Sequence, residues 1–207
     1  MITVDIEKKL KAYRGQQVLK ITAEFADRSI TKIYGPSGAG KTTFLKIIAG
    51  LIDPEKGKIT VDDTVWLDTD SKISLSPQKR KVGFVFQNYA LFPNMTVKQH
   101  LEYATDNTPW INRLLAIGKL ETFTEHKPEY LSGGQQQRLS ILRAMAIKPK
   151  LLLMDEPFSA LDPKMKSEII TGLKSLWDEL GTTVAIVSHN PQELEGLTAQ
   201  EIEIDPV

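Results

Sequence analysis

The chain has 207 residues, 26 of them basic and 26 acidic, and no cysteine. This length fits one domain with a core of its own, burying roughly 70% of the surface of its extended chain. The cancelling charges give no overall field favouring nucleic acid or an anionic membrane, and the missing cysteines exclude disulfides and thiolate chemistry. No apolar run approaches the ~18 residues of a membrane span, and the acidic start MITVDIEKKL is unlike a secretory leader, so the expected setting is the cytoplasm.

Residues 2–34 read as β-type, with TVDI, QQVLKITAEF and SITKIY separated by EKKLKAYRG and ADR. SITKIY runs into GPSGAGKTT, Gly35 to Thr43, which fits G-x-x-x-x-G-K-[ST], and the apolar-periodic FLKIIAGL follows. Strand, loop and helix in that order are the context this motif requires. Small residues let consecutive backbone N–H groups turn inward around an anion, and the helix N-terminus adds unpaired donors and the positive end of its dipole. Gly35, Pro36, Ser37, Gly38, Ala39, Gly40, Lys41, Thr42 and Thr43 are therefore candidate phosphate-binding residues. Lys41 is expected at the β- and γ-phosphates, and the Thr42 hydroxyl is expected to be a ligand of a bridging Mg²⁺. Phe44, Leu45, Ile47, Ile48 and Leu51 form the face expected to pack on a sheet, with Gly50 near the helix end.

Downstream, GKITVDDTVWL predicts a hairpin, and RKVGFVFQ (80–87) predicts a strand buried on both faces and ending on Gln87. Residues 88–130 carry helical periodicity and loop signals, which predicts a helical insertion. LLLMD (151–155) and TTVAIVS (182–188) return to the β pattern. Between them Met165, Ile169, Leu173, Leu176 and Leu180 recur at helical spacing, with Asp162 as N-cap, Pro163 at the first helical position and Gly181 beyond the end. The pattern describes an α/β core.

Two further motifs carry chemistry. LLLMDEP ends an apolar strand on Asp155 and Glu156, which point differently: Asp155 suits the Mg²⁺ shell, and Glu156 suits polarising a water for in-line attack on the γ-phosphate. With the upstream loop, this predicts an NTPase. LSGGQQQR places Ser132, Gly133 and Gly134 at the start of the helix QRLSILRAMAI, a second anion site in the same chain.

With these motifs in this order, the chain resembles the nucleotide-binding subunits of ATP-binding cassette (ABC) transporters over essentially its whole length. The resemblance implies an α/β P-loop core sheet with an antiparallel N-terminal β subdomain and an inserted helical subdomain. It implies one domain, with the core at 1–87 and about 144–207 and the helical part at about 88–143. Residue by residue, the family's Walker A matches Gly35 to Thr42, its Q-loop glutamine Gln87, its signature Leu131 to Gln135, and its Walker B carboxylate Asp155. Its catalytic glutamate matches Glu156, its D-loop residues 159–162 ending on Asp162, and its switch histidine His189.

Expected roles follow from the match. Glu156, His189 and Gln87 are the catalytic set, and Thr42, Gln87 and Asp155 hold Mg²⁺. Ser132, Gly133, Gly134, Gln135 and Asp162 join the ATP-binding residues, because the family's two cassettes meet head to tail, each signature closing over the other's ATP. Tyr13, 22 residues before Gly35, lies where the family places an aromatic that stacks on adenine. ATP and Mg²⁺ are the implied cofactors. The implied partners are a second copy, a membrane permease and, indirectly, a solute-binding protein, with no nucleic acid, and the implied place is the inner face of the cell membrane.

SPQKRKVGFVFQNYALFPNMTV resembles importers, molybdate and related oxyanion importers above all. Only 18 residues follow His189, so the regulatory β domain usual in such importers is not expected. Asn190 stands where aspartate is common in the family, and Leu142 where alanine is common. The alternative, a non-transport ABC ATPase acting on nucleic acid or ribosomes, fits less well. The 44 positions from Gln87 to Leu131 leave no room for coiled-coil arms, and the chain has one cassette. In NYALFPNMTV, some of Tyr89, Leu91, Phe92, Met95 and Val97 are expected to form an exposed groove for a permease helix.

Overall fold

The computed structural model describes residues 1–12, 15–188, 194, 197 and 200–205. Two five-stranded sheets divide the chain. The antiparallel sheet has the order β2-β1-β4-β5-β6, built from β1 (Ile2–Ala12), β2 (Gly15–Phe25), β4 (Lys56–Val61), β5 (Thr64–Asp68) and β6 (Ile73–Ser74). The second, all parallel, has the order β10-β3-β9-β8-β7, from β3 (Ile30–Tyr34), β7 (Gly83–Val85), β8 (Leu151–Asp155), β9 (Thr183–Val187) and β10 (Gln200–Glu203).

The central strands β8 and β9 are buried at every position, as a parallel sheet covered on both faces demands. Their side chains alternate between two cores. Leu151, Leu153, Ala185 and Val187 pack with the antiparallel sheet and with helix α1 (Lys41–Ile48). Leu152, Met154, Val184 and Ile186 pack with α5 (Gly133–Ala146) and α6 (Pro163–Leu180). Helix α1 lies between the sheets, and Phe44, Leu45, Ile47 and Ile48 are fully buried, each worth about 1.5–3 kcal/mol.

The remaining helices are α2 (Pro77–Arg80), α3 (Val97–Glu102) and α4 (Thr108–Gly118). α3 and α4 pack against α5 and against each other, and two ion pairs, Arg113–Glu179 and Lys119–Glu168, tie α4 and the residue after it to α6. Leu142 on α5 fills the space left by Gly118, where a Cβ would lie 2.5 Å from Leu142 Cδ1. Both ends of α6 match expectation: Asp162 Oδ1 accepts from Met165 N at 3.0 Å, Pro163 opens the helix, and Gly181 closes it at φ +62°. No helix among the described residues is long and apolar enough to cross a membrane.

Four local expectations need correction. EKKLKA is not a connector, because β1 continues through it to Ala12, paired residue by residue with β2. RKVGFVFQ is a strand only over Gly83–Val85, since Arg80 belongs to α2 and its guanidinium is drawn inward to the carbonyls of Ile47 and Ile48, both at 2.8 Å. Leu51 is exposed, because the chain reverses at Gly50 (φ +77°) and leaves the packed face. Finally, the parallel sheet gains an edge strand, β10, whose charged residues Glu201 and Glu203 hid it; Glu201 pairs with Lys32 at 3.3 Å.

Candidate functional site

The C-terminal ends of β3 and β8 meet the N-terminus of α1 around a cleft of about 370 Å³. Its lining brings together Ser37, Gly38, Gly40, Lys41, Thr42 and Thr43 from the loop, Gln87 from the turn after β7, and Glu156 from the end of β8. Gly35 and Pro36 contribute carbonyls, and Ala39 is buried behind the loop. Gly40 has φ +96°, and a Cβ there would press on Leu10 and Leu19 of the antiparallel sheet at 2.9 and 3.1 Å. Only glycine allows both that conformation and that closeness.

Lys41 is almost fully buried, and its ammonium donates to the carbonyls of Gly35 (2.7 Å) and Pro36 (2.8 Å). Those bonds take two of its three protons, which leaves one for a phosphate oxygen in the cleft. Burial pulls its pKa below the ordinary lysine value, and the nearby Glu156 and Asp155 oppose the shift. Thr42 Oγ1 donates to Asp155 Oδ2 at 2.7 Å, joining two residues 113 positions apart. The other oxygen, Asp155 Oδ1, is buried and has no hydrogen-bond partner. A buried carboxylate oxygen left unpaired beside a hydroxyl is a donor set for a hard cation.

Glu156 has φ +50°, in the left-handed region, and its N–H donates to Val187 O at 3.0 Å. A non-glycine residue held there is strained by roughly 1–3 kcal/mol and persists only where its surroundings fix it. Past Gln87 the backbone is strained again, with Tyr89 at φ +62° and Ala90 at φ +46°. Arg143 of α5 reaches their carbonyls at 3.2 and 2.6 Å, and its guanidinium lies 5.3 Å from the centre of the Phe92 ring.

None of Ser132, Gly133, Gly134, Gln135 or Asp162 lines the cleft. Ser132 caps α5, accepting from Gln135 N at 3.3 Å while Gln135 Oε1 accepts from Ser132 N at 2.7 Å, and Ser132 and Gly133 face solvent. Asp162 is occupied as the cap of α6. Tyr13 and His189 lie outside the described residues. Of the supposed groove, Val97 is buried and Tyr89, Leu91 and Met95 are half-buried, whereas Phe92 is 40% exposed and stands 5.6 Å from the ring of Tyr103, itself 70% exposed. The exposed apolar feature is thus the pair Phe92 and Tyr103, not Leu91, which packs into the helical core.

Sequence reasoning missed Arg80, Arg143, His100 and Gln137. Each is buried or half-buried although its neighbours in sequence are polar or mixed, so no local signal marked it. A larger cleft of about 650 Å³ lies at the other end of the parallel strands, near Lys150, Leu151 and Thr183, and holds none of the motif residues, so size alone points away from the chemistry.

The loop, the paired Thr42 and Asp155, and Glu156 at the strand end define a P-loop NTPase. The family follows from comparison: residues 18–159 match the ABC transporter family, and the chain belongs to it. It is 41% identical to the molybdenum import ATP-binding protein ModC of Pseudomonas fluorescens, over 91% of this chain and 54% of that protein. It is 37% identical to the probable sulfate/thiosulfate import ATP-binding protein CysA of Chlorella vulgaris, over 97% of this chain and 86% of that one. The chain thus spans little more than half the length of the ModC relative. Among solved structures, the dimeric bacterial ABC transporter cassette MJ0796 superposes with a TM-score of 0.83 at 34% identity, covering 99% of this chain and 94% of that one. A post-hydrolysis dimer of the same cassette, bound to ADP and Pi, superposes equally well at 32% identity and the same coverage.

Proposed function

We propose that this chain hydrolyses ATP as one half of a head-to-tail pair of copies and thereby drives a membrane permease that imports a small solute. The observation that carries the reading is the division of the phosphate-binding motifs: the Gly35–Thr43 loop, Gln87 and Glu156 share one cleft, while Ser132–Gln135 lie outside it on the surface. A second anion-binding helix end that cannot serve its own cleft is suited to serve a partner's.

In this mechanism the loop N–H groups and Lys41 bind the phosphate chain. Thr42, Asp155 and Gln87 are the residues that would hold Mg²⁺, and the unpaired Asp155 Oδ1 supports that fit. When bound, Mg²⁺ would supply positive charge that neutralises the phosphate chain. Glu156 orients and polarises water for in-line attack, and His189, by the family match, would hydrogen-bond the γ-phosphate. Relatives named for molybdenum and for sulfate/thiosulfate import favour an oxyanion such as molybdate as the solute. Phe92 and Tyr103 form the surface on which a permease helix docks, with the aromatic rings as anchors. The pair of cassettes then works at the inner face of the membrane.

Glu156→Gln keeps the side chain's shape and loses the charge that acts on water, so turnover should fall by roughly 10²–10⁴-fold while MgATP binding persists. In sedimentation velocity the variant should form an ATP-dependent dimer. A species that stays monomeric in saturating MgATP would remove the head-to-tail reading. Tyr103→Glu, remote from the cleft lining, should leave basal hydrolysis within about twofold and abolish stimulation by a reconstituted permease. Full stimulation of this variant would take the docking surface elsewhere.

A further inference from the structure

Gln137, one turn into α5, is 1% exposed and spends its whole amide on the loop that follows Glu156. Its Nε2 donates to the Glu156 carbonyl at 3.0 Å and to Ser159 Oγ at 3.1 Å, and its Oε1 accepts from Ala160 N at 2.8 Å. Ser159 Oγ in turn donates to the Glu156 carbonyl at 3.2 Å. The same loop presses on the first turn of α5, where a Cβ on Gly134 would lie 3.1 Å from the Ala160 carbonyl.

The residue so held is the one with a left-handed backbone, Glu156 at φ +50°. A strained conformation needs its surroundings to over-determine it. A primary amide is the neutral side chain that offers two donors and an acceptor in one plane, which is what the Glu156 carbonyl, the Ser159 hydroxyl and the Ala160 N–H require. Glutamate in its place lacks the donors, and an apolar side chain leaves the Glu156 carbonyl and the Ala160 N–H short of partners.

We propose that Gln137 is a positioning residue for ATP hydrolysis, fixing the backbone of Glu156 from the signature helix. Because Ser132–Gln135 begin that helix, a partner's nucleotide engaging them is felt at this chain's own Glu156, and the two sites of the pair are coupled through α5. The inference rests on the reading of Glu156 as the residue that acts on water. It adds a contact within one chain by which occupancy of one site sets the geometry of the other.

The test is Gln137→Met, which keeps the buried volume and removes the three hydrogen bonds. The expected result is a kcat at least tenfold lower, with KM and monomer MgATP affinity within twofold of wild type, and a Hill coefficient for hydrolysis falling toward one. Because Gln137 acts through Glu156, adding Gln137→Met to Glu156→Gln should lower the residual turnover less than twofold. A variant with wild-type kcat and Hill coefficient, or a full tenfold loss in the Glu156→Gln background, overturns the proposal. Should Gln137→Met fail to give a cooperative melt, Ser159→Ala, which removes an exposed hydroxyl from the same network, should lower kcat severalfold at constant KM; unchanged kcat there overturns it equally. If Glu156→Gln alone hydrolyses ATP normally, it is the underlying reading of the site that fails.

Discussion

At the floor of the cleft, α1 is gripped from two sides by apolar side chains, whereas beyond Gln87 the stretch 88–95 is anchored by Leu91 against the helical core and by hydrogen bonds with two polar side chains, Arg143 and His100. The first arrangement gives the phosphate loop a base that does not shift, since a packed core resists displacement. The second fixes a strained loop by a few directional bonds, which can break together and reform. Regions that open at low free-energy cost are those with few buried apolar contacts. In the proposed function the cleft would hold a geometry and the loop, next to Gln87, would change one when a partner docks.

Lys41→Ala should break the rigid side of this comparison most severely. The ammonium is the cleft's only buried cation among the described lining residues, and hydrogen bonds to charged groups contribute about 1.5–3 kcal/mol each. MgATP affinity measured by titration calorimetry should fall by roughly tenfold or more. The fold should survive, because α1 is held by its apolar face. Equal affinity would show that the loop N–H groups alone bind the nucleotide.

Arg143→Met tests the mobile side. It keeps much of the packing against Phe92 but releases the carbonyls of Tyr89 and Ala90, so hydrogen exchange at residues 89–92 should accelerate by roughly ten- to a hundredfold. Amides of α1 should keep their protection. Uniform acceleration across both regions would mean that Arg143 is a general stabiliser and that the two parts are not separable.

The sequence was legible where one rule governs a residue. Glycine spacing, the strand LLLMD and the caps of α6 each follow from a local requirement, and the phosphate loop, Gln87 and Glu156 meet in one cleft. Legibility ended where a residue's role depends on a distant carbonyl. Arg80 reads as the start of a strand, yet it caps the far end of α1 across 33 positions, and burial draws its pKa below the ordinary arginine value. Gln137 and Arg143 sit in an amphipathic helix whose polar residues look solvated; what they bind, residues 156–160 and 89–90, is set by how α5 crosses the sheet. Which residues of NYALFPNMTV face out, as Phe92 does, and which pack inward, as Leu91 does, was not legible, because hydrophobicity does not tell which side of a loop faces out.

The smallest effect belongs to His100, and it separates the two regions by pH. This histidine is buried on α3, with Nδ1 2.7 Å from the Thr96 carbonyl and Nε2 accepting the N–H of Phe92 at 2.9 Å. Both contacts are satisfied only by the neutral ring protonated at Nδ1; the charged ring would turn a second proton against the Phe92 N–H. Burial is the main cause of a pKa below the ordinary ~6.5; the Thr96 carbonyl opposes the shift and the charge of Arg143 adds to it. The unfolded chain therefore takes up this proton first. Above about pH 6.5 the residue makes no pH-dependent contribution, and as pH falls from there toward the folded value, stability declines. Comparing urea midpoints at pH 7.5 and 5.5, wild type should lose more than His100→Asn, whose amide oxygen can take over the Phe92 bond without titrating. The excess loss should appear as faster hydrogen exchange at residues 91–95 and leave α1 unchanged. Equal pH slopes in the two proteins would show that the loop after Gln87 does not depend on this proton.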